Sequence, residues 1–83
     1  MMSATTENLL DRITIDPDVM AGKPTIRGMR ITVEQILIFM AGGGTIQELL
    51  DDYPELEKKD VQAALLYAAE LVKEEQVFKV QGL

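Results

Sequence analysis

The chain has 83 residues, enough for one small domain, and a domain of that size buries only about 60% of the surface its unfolded chain exposes. It contains no cysteine and no histidine, which excludes a disulfide framework, a thiolate metal site and the commonest general base. Fourteen Asp and Glu against eight Lys and Arg give a formal charge of −6, so any contact with phosphates would come from a local basic patch on an acidic body.

In chain order, MMSATTENLLDR is polar and aperiodic and carries no apolar core of signal-peptide length. It is read as a loose leader over residues 1–12, with a short helical turn around Leu9 and Leu10. No apolar run approaches the roughly 18 residues of a membrane span, so the expected setting is cytoplasmic and the membrane is not an expected partner. RITIDPDV then alternates, with Ile13 and Ile15 on one face, and Asp16-Pro17 stops it as a short strand. PTIRGMRI is read as a second short strand broken by Gly28, which makes residues 13–31 a β-hairpin.

The rest is read as three helices. Thr32 to Gln35 and Thr45 to Glu48 both have the form of a capping box. Val33, Ile36, Leu37 and Met40 form one apolar face over residues 32–41, and Gly42, Gly43 and Gly44 end that helix. Ile46, Leu49, Leu50 and Tyr53 repeat the spacing over residues 45–53, closed by Pro54. The longest helix covers residues 57–73 with an apolar face of Val61, Ala64, Leu65, Ala68 and Val72. Leu66 and Ala69 lie off that face, and a second apolar patch on a terminal helix suggests a partner surface and a homodimer. Residues 74–83 form a tail or short strand bearing Val77, Phe78 and Val80.

Two features carry functional information. A short helix, a tight turn and a longer helix form a helix-turn-helix-like pair, whose second helix would offer Lys58, Lys59 and Gln62 to a DNA groove. Against that, Thr45 to Glu75 holds three basic and nine acidic residues. The stretch GKPTIRGMRI, Gly22 to Ile31, holds Lys23, Arg27 and Arg30 and no acid. Its glycines, turn and forked arginine donors suit anion contact, while pairing with the chain's own acidic helices is an equally direct destination. It matches neither a Walker motif nor a dinucleotide fingerprint. Asp51 and Asp52 are adjacent and so diverge on a helix, and no catalytic constellation stands out; no enzyme activity, cofactor or metal is expected.

ITIDPDVMAGKPTIRGMRITVEQIL followed by AGGGTIQELLDDYPELEKKDVQAALLYAAE resembles the bacterial and archaeal domain-of-unknown-function family 433, over about Ile13 to Glu70. The resemblance rests on the G-K-P-x-I-x-G strand signature, the D-Y-P turn and the D-V-x-A-A-L-x-Y-A helix, in that order. It implies a small, mainly α fold with a β-hairpin: a three-helix, homeodomain-like or winged-helix-like bundle, often dimeric. It further implies an antitoxin-like protein that binds and neutralises a PIN-like nuclease toxin, and that binds its own operator DNA in some members. Two departures stand out: Met29 replaces the threonine of the family's G-T-R, and Glu57, a poorer cap, replaces a serine or threonine before Lys58-Lys59. On this resemblance Lys23, Arg27 and Arg30 have three possible destinations: the carboxylates of a toxin, DNA phosphates, or the protein's own acidic helices. A stand-alone helix-turn-helix regulator and a bare dimerisation module are the competing readings.

Overall fold

A computed structural model of the chain describes residues 8–75, with backbone alone at 74 and 75. Two short strands, β1 (Ile13–Thr14) and β2 (Thr25–Ile26), precede three helices, α1 (Val33–Ala41), α2 (Ile46–Asp52) and α3 (Lys58–Glu75). The strands pair antiparallel, Ile13 opposite Ile26 and Thr14 opposite Thr25. The fold is thus mainly α with a small hairpin, as the sequence predicts. The expected C-terminal strand or tail beyond Glu75, and the leader before Asn8, lie outside the described residues.

α1 and α2 begin and end where their sequence instructs, while α3 runs two residues past the expected Lys73, to Glu75. Thr32 accepts from the Gln35 N–H while the Gln35 side chain accepts from the Thr32 N–H, and Thr45 and Glu48 repeat the exchange. At the end of α1 the Gly43 N–H donates to the Met40 carbonyl and the Gly44 N–H to the Phe39 carbonyl, with Gly43 at φ +96°. That is a Schellman closure, and the left-handed backbone at Gly43 is what glycine supplies without steric cost. The three helices and the hairpin bury Ile26, Ile31, Val33, Ile36, Leu49, Leu56, Val61 and Ala64 in one core.

Four expectations need correction. The helical turn expected around Leu9 and Leu10 is present as a 3₁₀ turn, Leu9–Arg12, capped by Asn8, but it packs on α3, so the loose leader does not run to Arg12. Ile15 does not join Ile13 inside: β1 stops at Thr14, and Asp16 opens a turn in which its carbonyl accepts from Val19 and its side chain from the Asp18 N–H, leaving Ile15 exposed. PTIRGMRI is not one broken strand. The chain reverses across Ile26 to Met29, where Met29 N–H donates to the Ile26 carbonyl at 2.8 Å and Arg27 and Gly28 have φ of +47° and +75°. Two central residues at positive φ make a type I′ pattern, the turn whose twist suits a tight hairpin. On α3 the core side carries Asp60, Val61, Ala63 and Ala64, while Leu65 and Val72 face outward, 44% and 69% exposed.

Candidate functional site

Asp60 lies in the first turn of α3, on the side that faces the hairpin, and is fully buried. A carboxylate without water requires donors on both oxygens. Arg27 Nε donates to Oδ1 at 3.0 Å and Arg27 Nη2 to Oδ2 at 2.8 Å, a two-pronged pair. Arg12 Nη1 donates to Oδ1 at 2.9 Å, and the Glu57 N–H donates to Oδ2 at 2.8 Å. The last bond is the reach of a third-position carboxylate back to the residue before a helix, the reciprocal half of a capping box. Arg12 also meets the Glu57 carboxylate at 2.9 Å, and Arg27 Nη2 meets the Glu55 carbonyl at 3.0 Å.

The local chain explains how both arginines arrive. The Arg27 N–H donates to the Arg12 carbonyl at 2.8 Å, which extends the ladder one step past Ile13 and Ile26 and sets the two residues side by side. The positive φ of Arg27 belongs to the reversal that starts there, and the donors to Asp60 and Glu55 hold its side chain. Burial pushes the Asp60 carboxyl up, but the hydrogen bonds from Arg27, the Glu57 N–H and Arg12 outweigh it and hold it below the usual aspartate range. The same bond, with Asp60, holds the Arg27 guanidinium above its ordinary value.

The six residues singled out in the sequence separate into four groups. Arg27 is committed to Asp60 and joins the hairpin to α3. Lys23 turns to α1, where its Nζ meets Glu34 at 2.9 Å with both side chains exposed. Arg30 is exposed and forms no ion pair among the described residues. Lys58, Lys59 and Gln62 are exposed on the first turns of α3. The structure therefore joins Arg27 to the start of α3 and leaves Lys23 on another element. Among the destinations open to the basic segment, pairing within the chain accounts for Arg27 and Lys23.

Asp60 and Arg12 are the residues that sequence reasoning passed over. Asp60 reads as one more solvated acid among Glu57, Lys58 and Lys59. A signal was present: Asp60 falls four residues before Ala64 and next to Val61, on the apolar side of the helix, where an unpaired charge is not tolerated. Among the described residues no group of three or more acidic side chains is arranged to hold a metal, and no helix is long and apolar enough to cross a membrane.

The other surface of note is the second half of α3. LLYAAELV, Leu65 to Val72, has one charged residue, Glu70, and a helix segment apolar on nearly all sides is normally covered on nearly all sides. Leu65, Ala69 and Val72 form an outward stripe at i, i+4 and i+7, all exposed. On the opposite side, Tyr67 and Leu71 line a groove of about 430 Å³ against Val33, Leu37 and Ile38 of α1.

Comparison with known proteins places this geometry. Residues 13–68 match the family described as "Protein of unknown function (DUF433)". The uncharacterized protein y4eO of Sinorhizobium fredii (strain NBRC 101917 / NGR234) is 30% identical over 56 residues, covering 68% of this chain and 25% of that protein. The chain thus spans about a quarter of the length of that curated relative. The crystal structure of a DUF433 member protein from Anabaena variabilis ATCC 29413 superimposes with a TM-score of 0.71 at 33% identity, over 76% of this chain and 62% of that one. The matched segment contains the hairpin, all of α1 and α2, and α3 through Ala68, including Arg27 and Asp60. The chain belongs to the DUF433 family.

Proposed function

We propose that this chain is a non-enzymatic, antitoxin-like binding protein that acts as a homodimer on a PIN-like nuclease. The observation that carries this reading is the outward stripe Leu65, Ala69 and Val72, an apolar face at helical spacing on an otherwise acidic chain. Such a face on a small domain suits a protein partner or a second copy better than solvent. Arg30, free of internal pairing among the described residues, is the cation best placed to meet the carboxylates of a metal-dependent nuclease. Arg27 is not available for that role without uncovering Asp60.

The test is co-expression of the tagged chain with the product of the adjacent open reading frame. Co-elution that is lost in the Leu65→Asp, Val72→Asp double variant supports the reading. Failure of the two proteins to associate would overturn it.

Operator binding is the second reading, favoured by the exposure of Lys58, Lys59 and Gln62 at the start of the second helix of the α2–α3 pair. It requires promoter binding that weakens steeply with salt and is lost in Lys58→Ala, Lys59→Ala. The acidic residues on α2, Glu48, Asp51 and Asp52, weigh against it.

A further inference from the structure

Arg27 does more than neutralise Asp60. The turn that joins α2 to α3, Tyr53 to Glu57, is closed by the Leu56 N–H on the Tyr53 carbonyl at 2.9 Å and plugged by the buried Leu56 side chain. Arg27 reaches this turn from the hairpin. Its Nη2 donates both to the Glu55 carbonyl at 3.0 Å, inside the turn, and to Asp60 Oδ2 at 2.8 Å, in the first turn of α3. Its Nε holds the other Asp60 oxygen at 3.0 Å, and Asp60 Oδ2 also accepts from the Glu57 N–H at 2.8 Å. One guanidinium thus brackets the α2–α3 junction. We propose that Arg27 and Asp60 are positioning residues for duplex DNA: the bracket sets the direction in which α3 leaves α2, and with it the placement of Lys58, Lys59 and Gln62, while Arg27 itself contacts no phosphate.

Three observations carry this role. The first is direction. Apolar contacts such as those of Leu49 and Leu56 hold the two helices together without fixing an angle, whereas a planar fork with three bonds does fix one. The second is anchorage: the Arg27 N–H donates to the Arg12 carbonyl at 2.8 Å, so the bracket is mounted on the paired strands. The third is proximity. Lys58, Lys59 and Gln62 lie within two residues of Asp60, about 3 Å along the helix axis, so a tilt of α3 at Asp60 moves all three together. The role rests on the operator-binding reading and adds residues that touch no DNA to those that do.

The experiment titrates a labelled duplex of the chain's own promoter with the full-length protein at several salt concentrations. Arg27→Lys keeps a charge beside Asp60 but has no fork to span Glu55 and both carboxylate oxygens. Arg27→Ala removes charge and fork together, and circular dichroism reports whether each variant is folded. The expected result is a loss of affinity on the order of tenfold in folded Arg27→Lys, comparable to one misread base pair. The slope of log affinity against log salt is expected to stay at the wild-type value, because the flexible lysine stems still reach their phosphates. Lys58→Ala, Lys59→Ala is expected to lower that slope by about 2. Wild-type affinity in both Arg27 variants would overturn the positioning role and leave operator binding in place. A slope reduced in Arg27→Lys would make Arg27 a phosphate contact and overturn the role as well. A wild-type chain that does not bind the promoter would remove the operator reading and this role with it.

Discussion

Arg27 and Asp60 stand 33 positions apart in the chain and meet through two hydrogen bonds, Nε to Oδ1 at 3.0 Å and Nη2 to Oδ2 at 2.8 Å. One end of the pair is fully buried and the other is partly solvated, 0% and 38% exposed at the side chain. The burial is offset by four donors, including Arg12 and the Glu57 N–H, so a single carboxylate ties the 3₁₀ turn, the hairpin and the start of α3 together.

Acid should release this tie. The folded-state carboxyl of Asp60 is held below its ordinary value, so its contribution is present above about pH 4, the unfolded aspartate range, and is lost as pH falls through the lower folded value. Urea melts of the wild type between pH 7 and pH 2.5 are expected to show a drop on the acid side. Asp60→Asn is expected to be less stable at pH 7 and to show a shallower acid-side drop. An unchanged slope would mean that other carboxylates set the acid limit.

The three cations of the basic segment should differ sharply on replacement by alanine. Arg27→Ala strands a buried carboxylate with Arg12 and one N–H as its remaining donors. A loss of about 2 kcal/mol is expected, below the ~3–5 kcal/mol of a fully buried pair because Arg27 is partly solvated and Arg12 remains. At roughly 4–8 °C per kcal/mol in a domain of this size, thermal melting would register it clearly. Lys23→Ala and Arg30→Ala are expected to leave the melting temperature essentially unchanged, since Lys23 pairs at the surface and Arg30 is exposed.

The glycine run after α1 should separate by position. Gly43→Ala places a side chain at φ +96° with open space around it, a backbone penalty of about 1–2 kcal/mol with no steric component. Gly44→Ala drives a Cβ into the half-buried Phe39 ring, and overpacking of that kind costs about 1–3 kcal/mol. Gly42→Ala meets only ordinary contacts at φ −82° and should be neutral or stabilising by up to about 1 kcal/mol. Chemical denaturation of the three variants measures the order.

The outward stripe of α3 should affect association and not folding. Leu65→Asp and Val72→Asp replace outward-facing side chains, 44% and 69% exposed, so the denaturation midpoint is expected to change little for Val72→Asp and modestly for Leu65→Asp. Sedimentation equilibrium is expected to show a shift toward monomer, with no such shift for Gln62→Ala one turn earlier. A wild-type chain that sediments as a monomer at high concentration would remove the homodimer from the proposed function.

The sequence by itself determined the local events. Both capping boxes, the Schellman glycines and the order of hairpin and helices follow from side chains acting within three or four positions of themselves, where a donor and its acceptor are fixed by chain geometry. What only the tertiary structure decided is where the charges go. Lys23, Arg27 and Arg30 look alike in the chain, and Asp60 differs from its solvated neighbours only by its place beside Val61 and Ala64 on the helix, which does not say which cation will meet it. The pairing of Ile13 with Ile26 sets Arg12 beside Arg27, and the packing of the 3₁₀ turn and hairpin against α3 brings both to Asp60. Desolvation of that carboxylate then selects Arg27 as its partner. The orientation of Leu65 and Val72 was settled in the same way: helical spacing makes α3 apolar on two sides, and among the described residues the packing of hairpin and helices covers the side of Val61 and Ala64 and leaves Leu65 and Val72 outward.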